Sequence, residues 1–129
     1  MVKGRQDHNS LVKGLIDYFQ ESGLQVQYAK YEGFSKPFSI KRHSPDVIAM
    51  NKEKGLAYIG EAKMCSELGD QITKEQFEDF GKMLMKGGKS EKMRLPFFIA
   101  VPSECESKIS ESFRQFEIPW QQNITVVGF

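Results

Sequence analysis

Two short motifs in the sequence carry groups that can do chemistry together. The first is Pro45-Asp46, and the second, Glu61-Ala62-Lys63, begins fifteen residues after Asp46. The stretch between them is predicted to fold as one β-hairpin, which would bring both carboxylates and the lysine amine to one point. Two carboxylates and an amine placed in this way are the minimum equipment for metal-assisted hydrolysis of a phosphodiester.

The hairpin prediction rests on apolar patterning and turn chemistry. Residues 47–50 and 56–59 are short apolar runs, and the polar residues 51–55 between them end in glycine, which is typical of a turn. A turn centred near residue 53 pairs Asp46 with Glu61, so that their Cα atoms lie about 4.5–5.5 Å apart.

Alternation along the second strand predicts that Glu61 and Lys63 share one face while Ala62 turns to the other. Unpaired like charges at Asp46 and Glu61 would repel each other, and a divalent cation would neutralise them. A hard, oxygen-ligated ion such as Mg²⁺ meets that need. The alternative is an exposed Glu61–Lys63 salt bridge at a strand end, which would contribute little to stability.

The composition is typical of an ordinary globular protein, and we expect a single domain over residues 1–129. The 129 residues are 40% hydrophobic and 27% charged, and such a chain can bury a sizeable core without crosslinks. The sequence shows no long apolar stretch, secretory signal or lipidation pattern, so we expect a cytoplasmic protein with no membrane partner. Cys65 and Cys105 lie far apart without a Cys-x-x-Cys motif, which favours two reduced thiols and argues against a zinc site.

The net charge of +1 gives little support to a nucleic-acid partner by itself. Basic residues are nevertheless clustered, in residues 82–94 and at Lys36, Lys41 and Arg42 just before the first motif. This asymmetry is compatible with one face turned towards phosphates, although a run of lysines is more often a solvated face.

Helical spacing predicts a first helix over residues 7–22 and a second from residue 73 to Gly87-Gly88. Ser103 with Glu106 forms a predicted capping box for a third helix. Strands are predicted at the hairpin and at three further segments: residues 24–28, 95–101 and 124–127.

The predicted order of elements is therefore α-β-β-β-α-β-α-β. The hairpin precedes a β-α-β crossover, which should be right-handed and should place its two strands parallel. We thus expect an α/β fold with a mixed central sheet flanked by helices on both faces.

The two motifs in this element order resemble those of the PD-(D/E)XK nuclease superfamily. The resemblance implies a restriction-endonuclease-like fold with an αβββαβ core, followed here by a C-terminal α-β extension, and a site at the second and third strands. The first helix ending before Gly23, Ser44 before the first motif, and the Lys-Glu-Gln-Phe stretch at residues 74–77 are similar to archaeal Holliday-junction resolvases.

This resemblance implies a metal-dependent endonuclease that hydrolyses DNA phosphodiester bonds, with Holliday-junction-like branched DNA as one candidate substrate. Asp46, Glu61 and the backbone carbonyl of Ala62 would bind Mg²⁺ or Mn²⁺, and Lys63 would position or polarise the attacking water. A restriction-type or repair nuclease on duplex DNA is one alternative. A catalytically silent module of the same fold, binding nucleic acid or a protein, is the other.

Three residues are candidates for accessory roles. His8 matches the position of a first-helix glutamate in the resolvases, and it is either structural or functional. Gln76 resembles a glutamine of exonuclease relatives, but we expect it to form a capping box with Thr73 instead. Lys74 lies beside it, within reach of a phosphate.

The loop before the first motif supplies the candidate DNA contacts. Lys41, Arg42 and His43 flank the expected site, and we predict that they bind the DNA backbone. The alternative is that they are only solvated loop residues.

We also expect a homodimer, because cutting two strands symmetrically needs two sites related by a two-fold axis. The apolar segment 124–129 and Trp120 are the predicted interface, since an uncovered apolar edge strand invites pairing with another chain. The alternative is that this strand only completes the sheet of the monomer.

Overall fold

The computed structural model describes residues 7–129, so residues 1–6 of the predicted domain lie outside the described part. The order of helices and strands is the predicted one: α1 (His8–Glu21), β1 (Gln25–Ala29), β2 (Val47–Asn51), β3 (Leu56–Ala62), α2 (Gln71–Lys82), β4 (Phe97–Val101), α3 (Ile109–Gln115) and β5 (Ile124–Gly128). Short 3₁₀ helices follow β3 at Cys65–Glu67 and β4 at Ser103–Lys108. Among the described residues, no helix is both long and apolar enough to cross a membrane.

The five strands form one mixed sheet in the order β1-β2-β3-β4-β5. β2 is antiparallel to both β1 and β3, and β3, β4 and β5 run parallel. The predicted parallel β-α-β crossover from β3 through α2 to β4 is therefore confirmed, and so is the α/β class.

The register of the β2–β3 hairpin is also the predicted one. Its pairs run from Val47 opposite Gly60 to Asn51 opposite Leu56. The Asp46 N–H donates to the carbonyl oxygen of Gly60 at 3.0 Å, which continues the ladder beyond β2. The same register places Asp46 beside Glu61.

The sheet buries a hydrophobic core on each face, as the prediction of helices on both sides requires. On one face, α1 packs on small strand residues, which include Ala49, Ala62 and Ala100. On the other face, α2 and α3 contribute aromatic side chains, and Phe77 stacks on Phe113 with ring centroids 5.0 Å apart. The two helical layers thus leave the carboxylates at one edge of the sheet.

Gly60 allows α1 to lie close against β3. A Cβ at this position would be 3.0 Å from Leu15 Cδ1 and 3.2 Å from Phe19 Cε2, so a larger residue would push the helix away. This close packing places α1 directly over the strand that carries Glu61. The start of the helix, at His8, consequently reaches Asp46.

The start of α2 differs from its prediction. The helix begins at Gln71, with Asp70 preceding it, and the Thr73 hydroxyl donates to the carbonyl of Glu67 at 2.7 Å. Gln76 therefore lies inside the helix, and the predicted Thr73–Gln76 capping box is wrong. The Thr73 hydroxyl bonds to the preceding 3₁₀ helix instead of capping α2. The spacing of residues along the chain does not reveal this partner.

The end of α2 also differs, because the helix stops at Lys82 and does not continue to Gly87-Gly88. Met83 is extended, and its carbonyl accepts from the Leu95 N–H at 2.9 Å. Met85 likewise exchanges backbone hydrogen bonds with residues 92 and 93. These bonds replace the last predicted helical turn.

The predicted Ser103–Glu106 capping box is wrong as well, because this segment is a 3₁₀ helix without a side-chain cap. The α-helical part begins only at Ile109. Ile109 and Phe113 are nevertheless buried as their spacing predicted, at 0% and 2% exposed.

Cys65 and Cys105 form a disulfide, with Cα atoms 5.8 Å apart. The prediction of two reduced thiols is therefore wrong for this structure. The two residues are 40 positions apart, but they follow the neighbouring parallel strands β3 and β4. Because parallel strands end at the same edge of a sheet, the fold brings the cysteines together.

Candidate metal centre

Asp46 lies at the sheet edge, just before β2. Its side chain is held by the neighbouring strand, since Oδ2 accepts a hydrogen bond from the Ala62 N–H at 2.8 Å. The residue is 1% exposed. A carboxylate buried to this extent requires compensating donors or cations.

Glu61 lies opposite on β3 and is 2% exposed. Its Oε1 accepts a hydrogen bond from the Asp46 N–H at 3.2 Å. The Lys63 ammonium, two residues along the same face, is 3.7 Å from Glu61 Oε2 and is itself buried. The three predicted catalytic residues are therefore adjacent, and the exposed salt bridge considered for Glu61 and Lys63 is replaced by a buried one.

Two further basic side chains reach Asp46 from other elements. His8 at the start of α1 places Nε2 3.1 Å from Asp46 Oδ2. Lys30, just after β1, places its ammonium 3.8 Å from Asp46 Oδ1 and donates to the Ser44 carbonyl at 2.9 Å. The His8 side chain is half-exposed, so this side of the site is open to solvent.

The electrostatics of the two carboxylates differ. Burial favours the neutral form of Asp46, but the hydrogen bond and charge of His8, with the Ala62 N–H and Lys30, bring its pKa below the ordinary value. Burial, and then repulsion by Asp46, raises the pKa of Glu61 well above its ordinary value in spite of Lys63. The hydrogen bond to Asp46 raises the pKa of His8.

The donor groups fit a divalent cation. His8 Nε2 and one oxygen each of Asp46 and Glu61 lie within 4.8 Å of one another. Two ligands at right angles around an ion are about 3.0 Å apart when each bond is about 2.1 Å, close to the 3.1 Å between His8 and Asp46. Carboxylates suit Mg²⁺ and Mn²⁺, and imidazole suits transition metals.

The backbone of Ala62 also faces this site. Its N–H points to Asp46, and the N–H and carbonyl of one strand residue point to the same side of the strand. The Ala62 carbonyl is thus directed to the β2 side, where β2 has not yet begun. This placement is compatible with the predicted ligand role, while the Ala62 side chain packs in the α1 core.

Two of the three predicted DNA-contacting residues, Arg42 and His43, contact side chains of α2. Lys41 and Arg42 form a tight turn closed by Ile40 and His43, and Lys41 takes a left-handed φ of 58°. Arg42 binds Asp79 through two side-chain hydrogen bonds of 2.8 and 3.0 Å. His43 also contacts a carboxylate of α2, with its Nε2 2.8 Å from Glu75 Oε1.

Arg42 and His43 are therefore engaged with carboxylates of α2, whereas Lys41 is exposed. A role for the three residues on DNA stays a prediction.

The second basic cluster, residues 82–94, is divided between two places. Lys82, Lys86 and Lys92 line a surface pocket together with Lys41, whereas Lys89 lies at the hairpin turn. The Ser90 hydroxyl donates to the Lys54 carbonyl and the Lys89 ammonium to the Glu53 carbonyl, both in the hairpin turn. That turn is separated from Glu61 by the length of β3, about 20 Å. Lys89 and Ser90 consequently do not face the carboxylates.

Of the accessory candidates on α2, Gln76 is 7% exposed and its Oε1 has no hydrogen-bond partner among residues 7–129. Gln76 lies on the side of α2 that packs on the sheet. Glu61 and Lys63 point from the sheet to this same side. Lys74 is partly exposed, and its ammonium forms no ion pair with any of residues 7–129. Neither residue is placed in direct contact with the carboxylates.

Lys30 was missed by sequence reasoning. It lies opposite Asp46, because its N–H donates to the Asp46 carbonyl at 2.8 Å. The β1–β2 register shifts by one residue between Val26 and Tyr28. Predicting that Lys30 lies opposite Asp46 requires knowing of this register shift. The alternating pattern of β1 does not reveal it.

Comparison with known proteins adds no relative. No protein-family model matches this chain, and no curated protein or solved structure matches it. A functional proposal therefore depends on the geometry of the site.

Proposed function

We propose that this protein is a metal-dependent endonuclease that hydrolyses phosphodiester bonds in DNA. The observation that carries the proposal is the pair of carboxylates, Asp46 and Glu61, buried side by side at the end of a hairpin. Their mutual repulsion and their loss of hydration both disfavour folding. A divalent cation offsets both effects, and Lys63 adjoins the same point.

The same proposal includes the finer description of the fold. We assign α1 to β4 as an αβββαβ core of the restriction-endonuclease-like type, with α3 and β5 as the extension. The mixed sheet and the position of the acids, before β2 and at the end of β3, support membership of the PD-(D/E)XK superfamily.

In this proposal Asp46, Glu61 and the Ala62 carbonyl hold Mg²⁺ or Mn²⁺, and His8 supplies a third side-chain ligand. When bound, the ion neutralises charge that develops on the phosphate and polarises it as a Lewis acid. Lys63, whose ammonium lies 3.7 Å from Glu61 Oε2, would orient the water that attacks phosphorus.

The test is a panel of labelled DNAs comprising duplex, flap, single-stranded and four-way-junction forms, incubated with Mg²⁺ and with Mn²⁺. Wild type should cleave at least one form only when metal is added, and Asp46→Asn and Glu61→Gln should not. Glu53→Gln, in the hairpin turn far from the site, is the matched control and should cleave normally.

The pattern of cleavage identifies the substrate class. Preference for the four-way junction would support a resolvase, and preference for duplex DNA a restriction-type or repair enzyme. Binding of DNA without cleavage under every condition would overturn the proposal in favour of a silent binding module.

A further inference from the structure

The disulfide adjoins the carboxylate site. Cys65 follows Lys63 by two residues and begins a 3₁₀ helix, and Cys105 lies in the 3₁₀ helix after β4. β3 and β4 end at the same edge because they are parallel. Asp46 precedes the antiparallel β2 at that edge too, so the crosslink and the carboxylates occupy the same end of the sheet.

The two sulfurs differ in accessibility. Cys65 is partly exposed, whereas Cys105 is 0% exposed. Exchange needs an attacking thiolate to reach one sulfur, and Cys65 is the more exposed of the two residues. Cys105 Sγ lies 3.4 Å from the Pro102 carbonyl oxygen, so a reduced Cys105 thiol has an acceptor inside the fold.

The crosslink also restrains the segment that joins Lys63 to α2. Apart from the disulfide, this segment is held by Leu68, which is 6% exposed in the core, and by a local hydrogen bond from the Met64 N–H to Glu67 Oε1 at 2.7 Å. The Thr73 hydroxyl adds a second bond to the Glu67 carbonyl. The disulfide is the covalent tie between this segment and the 3₁₀ helix after β4, so its opening removes a restraint two residues from Lys63 and eases local opening there.

We propose that Cys65–Cys105 is a reversible thiol–disulfide exchange site that takes a dithiol reductant, and that its opening loosens the Lys63 end of the carboxylate site. The inference concerns the protein's geometry and does not require nuclease activity, although its effect on cleavage rests on the function proposed above.

The dithiol reductant supplies the electrons and protons that opening the disulfide requires. One thiolate of the reductant attacks Cys65 Sγ and forms a mixed disulfide, while Cys105 leaves as a thiolate and takes up a proton. The second thiolate of the reductant then displaces Cys65, which is protonated in turn. The protein gains two electrons and two protons, and the reductant becomes a disulfide.

The test compares the folded protein after oxidised glutathione and after dithiothreitol, without denaturant. Mass spectrometry after thiol alkylation should count no free thiol in the first sample and two in the second. Amide hydrogen exchange in residues 60–76 should be about tenfold faster or more in the reduced sample. Residues 11–21 of α1 should exchange equally in both and serve as the internal control.

The matched variant is Cys65→Ser with Cys105→Ser, which should exchange like the reduced wild type and ignore both reagents. Calorimetric titration with Mn²⁺ should give an affinity about threefold weaker or more for the reduced protein.

Three results would overturn the inference: thiols that never pair, a disulfide that dithiothreitol reduces only in denaturant, or equal exchange of residues 60–76 in both states. A redox-dependent exchange rate without DNA cleavage would leave this inference standing while the proposed nuclease function failed.

Discussion

The backbone N–H of Asp46 donates to the carboxylate of Glu61 over 3.2 Å, so one acidic residue helps to hold the other. The Asp46 carboxylate in turn accepts from the Ala62 N–H on the opposite strand. This reciprocal arrangement orients both carboxylates through the backbone of the hairpin. Ligands held in this way need little rearrangement to bind an ion.

Metal binding should therefore stabilise the wild type. At a Mn²⁺ concentration of about 100 times Kd the gain is about 2.7 kcal/mol, visible as a higher Tm by differential scanning calorimetry. Asp46→Asn and Glu61→Gln should lose this gain, His8→Ala should retain part of it, and Glu53→Gln should retain all of it. Without metal, Glu61→Gln should be at least as stable as wild type, because burial and Asp46 raise the pKa of Glu61. Equal Mn²⁺ effects in all the variants would contradict the metal site.

Lys63 should affect the reaction more than metal affinity. Lys63→Ala should lower single-turnover DNA cleavage by about 100-fold or more, as expected when an interaction of the transition state is lost. The Mn²⁺ affinity and the DNA affinity should change little. Lys52→Ala, in the exposed hairpin turn, is the control, and activity of Lys63→Ala within a few-fold of that control would exclude a catalytic role.

Gln76 offers a test that separates stability from function. Gln76→Leu removes a buried amide whose Oε1 has no partner in the described structure, so it should raise the free energy of unfolding by about 1 kcal/mol. If the Gln76 amide takes part in the carboxylate site of Asp46 and Glu61, DNA cleavage should fall in the same variant. A stabilised variant with normal cleavage would make Gln76 structural only. Thr73→Val, which loses the bond to Glu67, should instead be less stable.

The Arg42–Asp79 pair gives a pH dependence away from the metal site. The Arg42 hydrogen bonds lower the pKa of Asp79 despite its burial. The pair therefore stabilises the fold above the unfolded-state pKa of about 4, and this contribution is lost as the pH falls through the lower folded-state pKa. Urea midpoints of wild type should exceed those of Asp79→Asn at neutral pH, and the difference should shrink at acidic pH. The control Asp17→Asn breaks only an exposed pair with Lys13 and should shift the midpoint little.

The hairpin could be predicted from sequence because its signals are local. Two apolar runs and a glycine-ended turn fixed the register from Val47 to Gly60. Adding one residue at each end then placed Asp46 against Glu61. No information from distant parts of the chain was needed for these two residues.

The remaining parts of the site depend on distant contacts. His8 reaches Asp46 because Gly60 lets α1 pack closely on β3, and Lys30 does so through an irregular register in β1. The disulfide depends on parallel strands that end side by side. These relationships follow from packing, and spacing along the chain does not encode them.

The predicted homodimer can be tested at β5, which is one of the two edge strands of the sheet. This strand completes the sheet of the monomer, yet its outer edge is directed away from β4. Asn123 O and Phe129 N bond to β4, so the alternate residue Val126 directs its N–H outwards. Pairing of two copies along this edge would use that group.

Val126→Pro should therefore prevent dimer formation without breaking the β4–β5 ladder, since proline is tolerated on edge strands. Light scattering over a concentration series should show a dimer for wild type and a monomer for Val126→Pro, with similar Tm values. Deleting residues 124–129 is a poor substitute, because Ile124 is buried and Phe129 packs against Gly14. A wild type that stays monomeric yet cuts both strands of a duplex would contradict the dimer. A folded, dimeric Val126→Pro would refute only this interface.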